Sequence, residues 1–263
     1  MKRLRVPSIR TLFLACVGAG FIVPILSIAH FSLHRGDTGY ALTAYQTALQ
    51  DAQFVRSLWL SAQLALMATA VVVMLMVPTM VWLHTYAPRW RPLVEFISTI
   101  PILFPPILLV TGLAGGFRSA PVWFRDSRLF LCLAYVVLIL PFAYRCLDAG
   151  LSAIDVRTLS AAGESLGLPR RMVLTRVLMP MMSSSIASTA IFAAAIVLSE
   201  YTMGSILQFT TFAVHISYTW ESRATGAAAL SVISFAVTWF AMLLVLSLSV
   251  RVSSRAVTVG PTT

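Results

Sequence analysis

Between two very apolar parts of the chain lies a polar, arginine-bearing stretch, Ser160-Ala161-Ala162-Gly163-Glu164-Ser165-Leu166-Gly167-Leu168-Pro169-Arg170-Arg171. Gly167 can adopt the positive φ that ends a helix. Pro169 suits the first turn of the next helix, where its missing N–H leaves no bond unmade. Apolar residues then recur at helical spacing up to Pro180, at Val173, Leu174, Val177 and Leu178. The segment predicts a small two-helix hairpin over about 152–180, of a kind that another protein can hold.

The composition predicts that the rest of the chain lies in a membrane. Of its 263 residues 59% are hydrophobic and only 11% are charged, whereas soluble domains carry roughly 25% charged residues. A helix needs about 20 mostly apolar residues to cross a bilayer. Six stretches are long enough, at about 11–33, 57–83, 93–117, 129–148, 181–206 and 227–250. We therefore predict an all-α polytopic membrane protein with six transmembrane helices in one domain, 1–263.

The net charge of +10 is explained by membrane topology. If both termini are cytoplasmic, most of the 19 Lys and Arg residues lie on the inner side, which is the positive-inside pattern. This orientation places the hairpin in the cytoplasm. No basic stripe interleaves with aromatic residues as in nucleic-acid-binding surfaces, so we expect no nucleic-acid partner.

The hairpin resembles the cytoplasmic "EAA" loop of ABC importer permeases. Ala161-Ala162-Gly163 occupies the first three positions of that pattern, Gly167 its turn, and Met179-Pro180 its end. The lead-in Ile154-Asp155-Val156-Arg157-Thr158-Leu159 resembles the spermidine/putrescine-type branch. The sequence departs from the pattern where Ala161 replaces Glu and Gly163 replaces Ala. Glu164, at i+3 from Ala161, is placed to present a carboxylate on roughly the same helix face.

The resemblance implies the fold of a type I ABC importer permease, with a hairpin that docks onto an ATPase. The implied docking residues are Ala161, Ala162, Gly163, Glu164, Gly167, Pro169, Arg170, Arg171 and Pro180. The implied partners are two copies of an ABC ATPase, a second homologous permease, a solute-binding protein and membrane lipid. The sequence has no Gly-x-x-x-x-Gly-Lys-Ser/Thr phosphate loop. We therefore expect no cofactor and no enzyme activity on this chain, with ATP and Mg²⁺ bound by the ATPase.

The same resemblance implies a bacterial inner-membrane protein that forms the pathway for a small solute. Its branch favours a polyamine such as spermidine or putrescine. Iron, thiamine, sulfate and aminoethylphosphonate stay open, as does whether the permease pair is homomeric or heteromeric.

Two regions are candidate walls of the translocation pathway. Pro101 and Pro105 interrupt the third apolar stretch, and backbone groups freed by proline must be satisfied by neighbours or by a water-lined cavity. Packing kinks explain these prolines equally well. Ser199-Glu200-Tyr201 places an ionisable group near the outer end of the fifth stretch, where it should face a cavity or a partner. Glu200 either lines the pathway of a cationic solute or makes a structural contact, such as an ion pair with Arg56 or Arg223.

The sequence also has to be weighed for a metal site, for a stand-alone transporter and for a membrane-embedded enzyme. His30 and His34 have the i, i+4 spacing of zinc ligands, but no further ligand accompanies them, so we expect no metal site. The alternative function is a stand-alone secondary transporter or channel, which calls for a relay of several intramembrane ionisable residues. Only Glu200 qualifies. A membrane-embedded enzyme would need a convergent catalytic set, and the sequence shows none.

Overall fold

The computed structural model describes residues 9–34 and 39–257. The helices are α1 Ile9–Leu33, α2 Thr43–Gln50, α3 Ala52–Thr85, α4 Arg91–Thr99, α5 Pro106–Gly116, α6 Val122–Arg125, α7 Arg128–Ser152, α8 Val156–Ser165, α9 Arg170–Met172, α10 Met179–Met181, α11 Ser183–Ser199, α12 Thr202–Ile206, α13 Phe212–Ser222 and α14 Ala224–Val257. In these described ranges the β pairing is limited to one isolated bridge between His34 and Tyr40. The predicted all-α fold class is confirmed. The N-terminal charges Lys2, Arg3 and Arg5 lie outside the described residues.

Three helices are long and apolar enough to cross a membrane: Phe13–Leu33, Ala52–Thr85 and Arg128–Ser152. Two further candidates are bent pairs, Pro88–Leu103 with Pro106–Gly116 at 106° and Arg170–Met181 with Ser183–Ser199 at 77°. The described residues thus hold three spans, or up to five if each bent pair is one span. The predicted sixth span lies on α14, where Ala224–Phe240 is a shorter apolar segment. A total of six stays a prediction.

Two of the predicted stretches are interrupted. The third, 93–117, changes direction after the 3₁₀ turn Ile100–Leu103, where Pro105 is extended with ψ 143° before α5 begins. Successive prolines remove N–H donors and clash with the preceding turn, so the helix cannot continue through them. The fifth stretch, predicted over 181–206, stops being helical at Glu200 and resumes at Thr202.

The chain divides into two compact units. One comprises the described residues of Met1–Val55 and His215–Ala236, and the other those of Arg56–Val214 and Val237–Thr263. In the second unit α7 is central, with contacts to α4, α5, α6, α11 and α12. Its fully buried side chains include Tyr135, Ile139, Tyr144 and Leu147. Small residues of α11 are buried, as expected for helices that approach each other closely: Ala187, Thr189 and Ala193.

The first unit joins the end of α1 to α2 by short-range contacts. The N–H of Ala41 donates to the carbonyl of Leu33 at 2.9 Å, and Tyr45 Oη lies 2.6 Å from Ser32 Oγ. His215 of α13 lies 3.5 Å from the carboxylate of Asp51, the residue between α2 and α3. Polar contacts therefore fix α2 within this unit.

Candidate functional site

The hairpin, which we define as Val156–Met181, begins at a capped helix end. The carboxylate of Asp155 accepts the N–H of Thr158 at 3.1 Å and the Thr158 hydroxyl at 2.7 Å. These bonds stabilise the ionised carboxylate, so they lower the pKa of Asp155. An aspartate in this position satisfies N–H groups that have no partner in the first turn of α8.

The first arm of the hairpin ends as the sequence predicts. Gly167 has φ +78°, its N–H donates to the carbonyl of Glu164 at 2.9 Å, and the N–H of Leu168 donates to that of Gly163 at 3.0 Å. This bond pattern is a Schellman motif. Pro169 directly precedes α9 with extended backbone, ψ 147°, rather than standing in its first turn.

The second arm is not one regular α-helix. After α9 the chain forms a π-helical turn, Val173–Leu178, and then α10. Pro180 has no N–H to continue an α-helical ladder, and a widened turn absorbs the interruption. The predicted apolar stripe is present, because Val173 and Leu178 are buried while Leu174 and Val177 are half-buried.

Gly163, which departs from the family pattern, is where the two arms touch. A Cβ atom at this position would stand 2.8 Å from Cγ2 of Val173. Since Val173 is β-branched and itself buried, it has little freedom to move away. The close approach of the arms explains why this chain has glycine where the pattern has alanine.

The carboxylate of Glu164 is hydrogen-bonded to two other side chains of this protein. Its Oε1 accepts the Tyr86 hydroxyl at 2.6 Å and Nε of Arg170 at 3.2 Å, and the Arg170 guanidinium lies 4.6 Å from the Tyr86 ring centroid. The hydrogen bond from Tyr86, followed by Arg170, lowers the pKa of Glu164, and the same bond raises the pKa of Tyr86. This cluster ties both arms to Tyr86, the residue that follows α3, which sequence reasoning did not single out.

The tip of the hairpin is exposed. Its exposed residues include the sequence-predicted docking positions Ala161, Ala162, Gly167, Pro169, Arg170 and Arg171. Leu166 is 81% exposed, although an apolar side chain gains free energy when it leaves water. Pro180 is half-buried at the far end of the second arm. The hairpin therefore has a base that is bound to the rest of the chain and a tip that exposes an apolar side chain to solvent.

A second polar cluster lies behind the hairpin and was also missed from the sequence. Asp148 of α7 accepts Nη2 of Arg91 at 2.7 Å and lies 3.0 Å from Nε2 of His84. Nε of Arg157 donates to the carbonyl of His84 at 3.3 Å. These contacts join α8 to the ends of α3, α4 and α7.

Glu200 occupies the break between α11 and α12. Its side chain is buried, with 8% exposed, and its Oε2 accepts the N–H of Met203 at 2.8 Å. No ion pair with Arg56 is present in the described part of the chain. The fully buried Tyr135 lies close by on α7, and its hydroxyl has no hydrogen-bond partner among the described residues. The carboxylate thus accepts a bond at the start of α12, and its place in a translocation pathway stays a prediction.

The other predicted pathway residues are dispersed around this break. The hydroxyl of Ser199 donates to the carbonyl of Ala195 at 2.8 Å. Tyr201 is 43% exposed. Pro101 is buried, whereas Pro105 is exposed at the bend before α5. Helix α12 packs on α5 and α7. Their role in a pathway stays a prediction.

His30 of α1 and His34, the residue that follows this helix, both contact the ring of Tyr40. His30 Nε2 lies 2.8 Å from the Tyr40 hydroxyl, and the rings of His30 and His34 stack at 6.3 Å. The described residues contain no group of three or more His, Cys, Asp or Glu side chains that could hold a metal ion.

A family model described as binding-protein-dependent transport system inner membrane component matches residues 86–259, more than half of the chain. The chain belongs to this family. The matched part of the permease contains both the hairpin and the Glu200 break. No protein of curated function matches the chain in sequence.

Solved structures of ABC importers share the fold of this permease. One is a bacterial ABC transporter involved in the import of the acidic polysaccharide alginate, with TM-score 0.64 and 15% identity over 92% of this chain and 96% of that chain. Another is the bacterial alginate ABC transporter in complex with alginate pentasaccharide-bound periplasmic protein, with TM-score 0.61 and 16% identity over 93% and 96%. The protein is thus a permease subunit of the ABC importer type, and the polyamine-type branch is not confirmed.

Proposed function

We propose that the hairpin of this permease docks into a separate ATP-hydrolysing subunit. The observation that carries the proposal is the exposed Leu166 at the tip of a hairpin whose base is tied to α3 by Tyr86, Glu164 and Arg170. A docking element must be rigid to transmit force, and it gains affinity from apolar side chains that become buried on binding. The hairpin combines both properties.

In this proposal ATP and Mg²⁺ bind to the partner, because the chain has no phosphate-binding loop of its own. Closure of two ATPase copies would shift the hairpin, and the cluster around Asp148 would pass the shift to α3, α4 and α7. A permease with two states needs such a bistable connection between sites. A second homologous permease and a solute-binding protein complete the assembly, in the inner membrane with both termini cytoplasmic.

The transported solute is a finer proposal. A polyamine carries several ammonium groups, and its recognition calls for carboxylates that are free to face it. Glu200, the acidic residue placed nearest the predicted pathway, already accepts the N–H of Met203. The structural relatives import alginate. We therefore infer that the solute is a hydroxyl-rich, carbohydrate-like molecule rather than spermidine or putrescine.

The docking proposal is tested by co-purification of the tagged permease with its ATPase. Leu166→Asp places a charge at the tip without altering a buried contact, and we expect it to reduce the recovered ATPase about tenfold or more. Leu42→Asp is the matched control, since Leu42 is a 62% exposed leucine at the start of α2. It should leave recovery unchanged.

Equal recovery with both variants would contradict the hairpin as the docking site. A permease that is purified alone, transports its solute alone and ignores Leu166→Asp would instead support the stand-alone transporter.

A further inference from the structure

A cavity of about 930 Å³ lies in the first unit, and none of its lining residues belongs to the hairpin or to the Glu200 break. It is formed by the end of α1, one face of α2, the end of α13 and the start of α14. Pockets that hold small ligands are typically about 300–1,000 Å³. The predicted topology places this cavity at the outer face of the membrane.

Several hydroxyl groups that line the cavity already donate a hydrogen bond within their own helix. Thr47 donates to the carbonyl of Thr43 at 2.8 Å, Thr219 to that of His215 at 2.9 Å, and Ser222 to that of Thr219 at 3.2 Å. Because each hydrogen is used within its own helix, these oxygens present lone pairs to the cavity. Such a surface suits a ligand that carries several hydrogen-bond donors.

Among the described residues, the cavity wall carries one carboxylate and one guanidinium. Asp51 and Arg223 both line it and both are exposed. His215 lies behind Asp51 at 3.5 Å, and Arg223 has no ion pair among the described residues. One carboxylate opposed by one guanidinium does not favour a ligand with several positive charges. The two groups can instead orient a neutral molecule by charge-assisted hydrogen bonds.

We propose that this cavity is a binding site for a neutral, hydroxyl-rich solute, a sugar or a polyol, on the outer face of the permease. Each hydroxyl of such a solute is both donor and acceptor, so it can donate to Thr47 and Thr219 and accept from Arg223. The proposal rests on the inferred function as an importer of a carbohydrate-like solute, for which the cavity would be an entry site.

The test is equilibrium binding of radiolabelled maltose, sucrose and mannitol to the full permease in its assembly, in lipid nanodiscs. We expect at least one of these probes to bind saturably, and spermidine not to compete. The double variant Thr47→Val, Thr219→Val removes two acceptor oxygens while keeping side-chain shape, and should weaken binding about tenfold. Thr79→Val is the control, because Thr79 makes the same helix bond, at 2.6 Å to Leu75, outside the cavity. It should leave binding unchanged.

Absence of saturable binding by all three probes would overturn the site, as would competition by spermidine or an equal loss with Thr79→Val. Recovery of the ATPase with the same preparations separates the two proposals. Failed sugar binding with normal ATPase recovery rejects only the cavity, whereas lost recovery points to failure of the proposed function.

Discussion

Helices α8 and α12 end in the same way, although one lies in the exposed hairpin and the other beside the buried Glu200. At the end of α8 the N–H groups of Gly167 and Leu168 donate to the carbonyls of Glu164 and Gly163. At the end of α12 those of Gln208 and Phe209 donate to Ser205 and Gly204, at 3.2 and 2.9 Å. Both helices thus end in a Schellman motif.

The two motifs differ in the residue that takes positive φ. Gly167 has φ +78° and no Cβ, while Gln208 has φ +60° and carries a full side chain. The left-handed conformation costs a non-glycine residue roughly 1–2 kcal/mol. In α12 the packing against α5 and α7 offsets this cost, whereas the exposed α8 relies on glycine. The local sequence therefore determines the positive φ at the end of α8. At the end of α12, tertiary packing stabilises the same backbone conformation.

The two glutamates near these motifs differ in a similar way. Glu164 is held by side chains, the hydroxyl of Tyr86 and the guanidinium of Arg170, at a surface exposed to water. Glu200 is held by the backbone N–H of Met203 in a buried break. Removal of a partner is costly only where water cannot replace it.

The largest effect should come from Glu200→Ala. The N–H of Met203 would lose its acceptor in a buried site, which we expect to lower the free energy of unfolding by about 3 kcal/mol. Glu200→Gln is the matched control, because its amide oxygen can still accept this bond. Titration with denaturing detergent measures both. If Glu200→Gln lowered the free energy of unfolding as much as Glu200→Ala, the negative charge rather than the hydrogen bond would stabilise the break between α11 and α12.

Gly204→Ala is expected to cost about 2 kcal/mol through overpacking. Its Cβ would stand 2.9 Å from Oγ1 of Thr211 and 3.3 Å from Cγ2 of Val214. Gly163→Ala would place its Cβ 2.8 Å from Cγ2 of the buried Val173 and should cost a similar amount. Gly112→Ala, with no atom within 4 Å of the new Cβ, serves as the control in the same unfolding titration. If Gly112→Ala were as harmful as Gly204→Ala, close packing would not distinguish these glycines.

Substitutions at the two positive-φ residues test whether glycine is preferred at the end of each helix. Gly167→Ala should destabilise the hairpin by about 1 kcal/mol, because alanine disfavours the left-handed region. Gln208→Gly should raise the free energy of unfolding by about 0.5 kcal/mol, since relief of strain is partly offset by the entropy of glycine in the unfolded chain. A destabilising Gln208→Gly would show that the glutamine side chain makes a contact that outweighs the strain.

The smallest effect concerns pH. Because the folded-state pKa of Glu164 is lowered, its contribution is complete above the ordinary glutamate pKa of about 4.3 and is lost as pH falls through the folded value. Tyr86→Phe removes the largest cause of the shift, so the pKa of Glu164 should rise. NMR titration of labelled glutamate Cδ measures it, with Tyr218→Phe on an exposed tyrosine as control. An unchanged Glu164 pKa in Tyr86→Phe would contradict the hydrogen bond.

Much of the hairpin could be predicted from local residues. Gly167 and the apolar stripe of the second arm follow from short-range rules, and each was found where expected. The π-helical turn and the contact of Gly163 with Val173 were not predictable, because they depend on how the two arms meet. Tyr86 lies 78 positions from Glu164 in the chain, and no spacing rule joins such residues.

The sequence by itself determined that the chain is apolar and helical, that prolines bend it after Pro101, and that a polar hairpin interrupts it. These features follow from hydrophobicity, from the missing N–H of proline and from the freedom of glycine, which act over a few residues. Only the tertiary structure decided that Glu200 stabilises a helix start, that Gln208 takes positive φ and that Tyr86 holds Glu164. Each of these depends on groups that are distant in sequence or on packing that offsets a local cost, so local preference alone does not reveal it.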